Sequence, residues 1–109
     1  MTQRLNEFNR AFIEAFDEVI TELLGADVLD SFYLALKNRH TVSKDELPYH
    51  VDTAYSVLEH VFGLKGGKTI GKRIARRLYE RLRLEFKDDD RTLLDYVEHA
   101  KRRLAEKAF

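Results

Sequence analysis

Gly63-Leu64-Lys65-Gly66-Gly67-Lys68-Thr69 is the stretch whose residue types could do chemistry. Glycines followed by Lys-Thr end a phosphate-binding loop, in which backbone N–H groups cradle phosphates and the lysine reaches the terminal ones. That loop needs a further glycine at position 62, which is Phe62. It also follows a buried strand, whereas Tyr55 to Phe62 carries apolar residues at helical spacing. A nucleotide-cleaving site is therefore not the reading of this stretch. A simpler anion site fits the residues better. N–H groups at Gly66 and Gly67, with Lys65 and Lys68 beside them, could hold a phosphate or sulfate at the start of a helix. The preferred reading is plainer still, a helix-to-helix turn in which glycine admits positive φ.

Other chemistry is thinly represented. His40, His50, His60 and His99 show no metal-ligand spacing, and Glu59-His60 and Glu98-His99 are adjacent pairs, which do not share a helix face. Asp88-Asp89-Asp90 lacks the calcium-loop pattern and its twelfth-position glutamate, so it reads as a solvated turn. Ser31, Ser43 and Ser56 have no recognisable base partner. Cysteine is absent, which removes thiolate nucleophiles, disulfides and cysteine metal sites. Neither a cofactor nor a metal is expected, and the chain reads as non-enzymatic.

Charge is the stronger signal. Between Lys65 and Arg83 lie Lys65, Lys68, Lys72, Arg73, Arg76, Arg77, Arg81 and Arg83, opposed only by Glu80. On a helical wheel Ile70, Ile74, Leu78 and Leu82 cover one side. Lys68, Lys72, Arg76 and Arg83 lie nearly opposite, and Arg73, Arg77 and Arg81 form a second row beside the apolar edge. The first thirty residues are the mirror case, with Glu7, Glu14, Asp17, Glu18, Glu22, Asp27 and Asp30 against Arg4 and Arg10. A formal net charge of +0 thus hides a dipolar chain. The two stretches could pair within the fold or between subunits, the basic face could bind nucleic acid through phosphates, or it could simply be solvated. A nucleic-acid reader usually adds base-reading side chains, and only Tyr79 stands at the border of this face.

The elements that must position these residues read as helices. The first runs from Leu5 to Leu24, with Leu5, Phe8, Phe12, Phe16, Val19, Ile20 and Leu23 on one face, and Gly25 stops it. The second runs from Asp27, as its cap, to Arg39, with Val28, Phe32, Ala35 and Leu36 inward. Ser43 and Glu46 form a capping-box pattern before Pro48, which permits one short helical turn. The third runs from Tyr49 to Phe62, with Val51, Tyr55, Leu58 and Phe62 in step and Ala54 and Val61 beside them. The fourth runs from Lys68 to Leu84. The fifth runs from Arg91 to Lys107, capped by Asp90 or by Thr92 with Asp95, and its seam is Leu93, Val97, Ala100 and Leu104. No segment alternates with period two. The expectation is an all-α fold, a compact bundle of about five amphipathic helices in a single domain over residues 1–109.

Bulk composition agrees. The chain of 109 residues is 44% hydrophobic and 35% charged, which suits one globular domain and not a disordered one. It opens on polar residues with no apolar signal segment, and no run reaches the ~20 apolar residues of a membrane span. It reads as cytoplasmic, with no membrane partner. Few Asn, Gln, Met and Cys beside many Glu, Lys and Arg is a thermophile-like bias.

The middle of the chain resembles a known family. Asp45-Glu46-Leu47-Pro48, the Val61-Phe62-Gly63 helix end, and Ile70, Ile74, Leu78 and Tyr79 at helical steps are similar to the archaeal Nitrosopumilus-type helical output domain. The likeness spans roughly residues 16–101. It implies archaeal origin and a signalling-output role, and it brings no catalytic residues. This chain departs from the family's layout in lacking an attached sensor or receiver domain. Together these readings point to an interaction or regulatory module that binds a protein partner or itself, as a homodimer. Its contacts would be Arg73, Arg76, Arg77 and Arg81. The alternative is a nucleic-acid-binding protein that adds Lys65, Lys68 and Lys72 on the helix over 65–83.

Overall fold

A computed structural model describes the backbone of residues 2–107 and the side chains of residues 5–106. The order of elements is α1 (Thr2–Leu24), α2 (Ala26–His40), a 3-10 helix (Lys44–Tyr49), α3 (Val51–Leu82) and α4 (Leu93–Lys107). No strand occurs among the described residues, and the expected all-α bundle is what forms.

The expected third and fourth helices are two arms of α3. They meet at Gly63, whose φ of 80° and ψ of 169° break the helix at one residue. That conformation is open to glycine and costly for other residues. Helix resumes at Leu64, so Gly66 and Gly67 are helical rather than a turn. Their small size serves a different need. A Cβ on Gly67 would lie 3.0 Å from the Glu59 Cα, and one on Gly66 would lie 3.0 Å from the Phe62 Cβ. The glycine pair lets the second arm leave the kink hard against the first.

The core forms where the apolar stripes meet. Phe8, Ala11, Phe12, Ala15, Phe16, Val19 and Ile20 form the buried stripe of α1. Phe16 stacks obliquely on Phe32 of α2 at 5.0 Å between centroids. Both α1 and α4 pack on α3, and α2 packs on α1. Leu5, Leu23, Val28 and Val61, which spacing assigns to the core, are exposed instead. Each sits at or near a helix end or beside the kink, where an apolar stripe runs past its neighbour.

Local chemistry sets the ends. Thr41 (φ 55°) closes α2 and Arg83 (φ 57°) closes α3, both in the left-handed region. In each case the next residue folds back: the Val42 N–H reaches Leu36 O at 3.1 Å and the Leu84 N–H reaches Tyr79 O at 2.9 Å. Val42 and Leu84 bury their side chains, which is the hydrophobic half of this C-terminal motif. Arg83 is therefore a cap and not part of the basic face. Ser43 and Glu46 form the expected capping box. At α4 the cap is Thr92, whose N–H donates to Asp95 Oδ2 at 3.1 Å, and Asp90 is free for another role. Asp27 does not cap α2; it lies in the first turn, and Gly25 occupies the cap position.

Candidate interaction surface

The second arm of α3 presents its cations in two rows, and each row meets a different acidic neighbour. The row beside the apolar edge faces α1. Arg77 donates through Nη1 to Glu18 at 2.9 Å and through Nη2 to Glu22 at 2.7 Å. Arg81 pairs with Glu14 at 3.1 Å and also with Glu18. Glu14, Glu18 and Glu22 are four apart, so they line one face of α1, and the fold lays that stripe along the arginines. The Glu22 carboxyl is held below its ordinary pKa, first by the hydrogen bond from Arg77, then by the charge of Arg77 and of Arg73. Arg77 is pushed up chiefly by the same hydrogen bond.

The opposite row faces the loop after α3. Lys72 donates to Asp88 Oδ1 at 2.9 Å, Arg76 reaches Asp88 Oδ2 at 3.4 Å, and Lys68 pairs with Asp90. Hydrogen bonds from Lys72 and Lys68 hold the carboxyls of Asp88 and Asp90 down, and the bond it donates to Asp88 pushes Lys72 up. Of the three aspartates expected as a solvated turn, Asp88 and Asp90 thus form a clasp on the basic helix, while Asp89 pairs with Arg91. Buried tyrosines hold the clasp. Tyr79 donates to Tyr96 O at 2.6 Å, and Tyr96 donates to Lys87 O at 2.8 Å while accepting from the Asp89 N–H at 3.2 Å. Tyr79 lies fully inside, not at the border of the basic face. Sequence reading passed over Tyr96, although it stands three residues after Leu93 and four before Ala100, the spacing of an inward position.

Between arm and clasp runs an open groove of about 670 Å³, lined by Lys65, Lys68, Thr69, Lys72, Arg73 and Arg76 with Asp88 and Asp90. Five cations outnumber two carboxylates there. The stripe from Lys65 to Arg76 is about 16 Å long at helical rise. Of the expected contact residues, the structure gathers Lys65, Lys68, Lys72, Arg73 and Arg76 in this groove and turns Arg77 and Arg81 to α1. The phosphate or sulfate expected at Gly66, Gly67 and Lys68 meets a different arrangement. Gly67 is buried against Glu59, and the Lys68 ammonium is engaged by Asp90.

Among the described residues no group of three His, Asp or Glu is placed to hold a metal ion. No described helix is long and apolar enough to cross a membrane. Compared with protein-family models, curated proteins and solved structures, the chain gives no significant match.

Proposed function

We propose that this chain is a non-enzymatic helical interaction module that docks an acidic protein segment in the groove along the second arm of α3. The observation carrying this reading is the clasp itself: carboxylates of Asp88 and Asp90 already sit on Lys68, Lys72 and Arg76. A partner's carboxylates would take the same positions, displacing the loop or joining it beside Arg73 and Lys65. The α1 stripe on Arg77 and Arg81 is the same recognition made within the chain. A second copy is one source of the acidic segment, in keeping with a homodimer. The signalling-output role implied by the resemblance rests on the core residues quoted for it.

Nucleic acid is the second reading, favoured by five cations in one groove at helical stride. Phosphate contacts lose about 0.7 to 0.9 log units of affinity per log unit of salt each. The test is a titration of labelled oligoglutamate and labelled duplex DNA with the protein, at two salt concentrations, with sedimentation equilibrium on the protein alone. The proposal expects oligoglutamate binding that tightens in Asp88→Asn/Asp90→Asn and is lost in Lys68→Glu/Lys72→Glu/Arg76→Glu. Tighter binding of DNA with a steep salt slope would transfer the assignment to nucleic acid. Binding of neither probe, even after the clasp is neutralised, would sink both.

A further inference from the structure

On the other side of the clasp, α4 and the segment after α3 enclose a small pocket of about 140 Å³. Its buried flank is aromatic: Tyr79 and Tyr96 meet edge-on at 5.8 Å, and the His99 ring stacks parallel on Tyr79 at 6.2 Å. Its rim is cationic, with Lys87, Arg91 and Arg103 against the single carboxylate of Glu85. Arg91 meets Asp89 at 3.1 Å and Arg103 meets Glu106 at 3.7 Å, both through Nε. A guanidinium has further N–H donors beyond Nε, in the fork that suits phosphate. At the ~30 Å³ that a water molecule occupies in the liquid, the pocket has room for a handful of waters, a space on the scale of one phosphate group.

The field in the pocket matches that shape. The His99 imidazole is held below its ordinary pKa by partial burial and then by Arg91, Arg103 and Arg102, with Glu106 opposing. Burial pushes the Tyr79 hydroxyl up to about 12, with the charges of Arg91 and Arg103 pulling the other way. Like charges gathered around a half-buried imidazole are relieved when an anion enters between them.

We propose that this pocket binds a phosphate group, free or as a monoester, through Arg91, Arg103 and Lys87, with His99 as a donor above Tyr79. The site is separate from the groove and does not rest on the function proposed for it.

The experiment is an NMR titration of the His99 imidazole in the intact protein, with inorganic phosphate against sodium chloride at equal ionic strength. Phosphate is expected to saturate the His99 resonances and raise the His99 pKa. Methyl phosphate in parallel shows whether the site also takes the esterified group or closes around the free ion. Arg103→Gln is expected to weaken binding about tenfold or more, the usual cost of one charge-assisted hydrogen bond, and Arg103→Lys to recover part of it. Arg103 is exposed at its Glu106 contact, so the variant is expected to keep the wild-type circular dichroism. A His99 titration identical in phosphate and chloride, or an Arg103→Gln protein that binds like wild type, would overturn the proposal.

Discussion

The Arg77 guanidinium lies 2.7 Å from the Glu22 carboxylate, across fifty-five residues of sequence. A side chain that sequence reading offered to an external partner is occupied at home, in a ladder that also takes in Glu18, Arg81 and Glu14. The ladder is half-exposed, so salt should act on it. A double-mutant cycle with Arg77→Ala and Glu22→Ala is expected to show favourable coupling in dilute buffer that shrinks in molar salt, read from denaturant midpoints. Zero coupling at low salt would mean the pair is geometric only.

Gly67 makes the sharper structural prediction. Alanine is the better helix former by about 1 kcal/mol, yet a Cβ here meets the Glu59 Cα at 3.0 Å and the Glu59 nitrogen at 3.1 Å. Backbone atoms cannot swing aside. Gly67→Ala is therefore expected to destabilise the protein by about 1–3 kcal/mol, as overpacking does. Urea unfolding measures it, and a neutral or stabilising result would contradict the close approach of the two arms.

Removing the Tyr79 hydroxyl tests the link between core and clasp. Tyr79→Phe loses a buried hydrogen bond to Tyr96 O and is expected to cost about 0.5–1.5 kcal/mol. Tyr96→Phe frees the Lys87–Asp89 backbone instead. Amide exchange at Asp89 is expected to accelerate in Tyr96→Phe far more than in Tyr79→Phe. Equal exchange in the two variants would mean that the loop is held by its ion pairs alone.

Acid should loosen the molecule in two stages. His99 has a folded pKa below its unfolded value, so the unfolded chain takes the proton first and stability declines slightly as pH falls through about 6.5. The carboxyls of Glu22, Asp88 and Asp90 are also lowered, so their stabilisation is full above the ordinary carboxylate range and is lost below about pH 4. Thermal midpoints across that range are expected to show a shallow step and then a steep one. Glu22→Gln/Asp88→Asn/Asp90→Asn should lower the neutral plateau and flatten the steep step only.

The left-handed cap at Arg83 offers a stabilising change. A non-glycine residue at φ 57° carries backbone strain that glycine does not. Arg83→Gly is expected to raise stability by roughly 0.5–1 kcal/mol, since this end of α3 is where glycine is usually found. A lower melting temperature would show that the arginine side chain contributes more than the strain removes.

Helical spacing carried the fold a long way. Phe8-Phe12-Phe16, Ile74-Leu78-Leu82 and Leu93-Val97-Ala100-Leu104 are buried as their periods require, because a stripe of apolar residues on a helix has nowhere else to go. The capping box at Ser43 was equally legible, being a contact over three residues, whereas at α4 the sequence left Asp90 and Thr92 both open and the fold chose Thr92. Legibility failed at the ends of stripes and at the glycines. Whether Leu5 or Val61 is covered depends on how far a neighbouring helix extends. Gly63 and Gly67 look alike in sequence, yet one bends the chain and the other admits a backbone.

The residues around Lys65 to Arg81 divide the same way. Sequence by itself determined that one helix would carry two cationic rows beside an apolar seam, since residue order sets their angles about the axis. It also determined that an acidic stripe would exist at Glu14, Glu18 and Glu22. Only the tertiary structure decided which row meets which acid, sending Arg77 and Arg81 to α1 and Lys68, Lys72 and Arg76 to the aspartate loop. The pairing is long-range, set by the packing of apolar seams on the far sides of the same helices. Charge then follows where the buried faces have placed it.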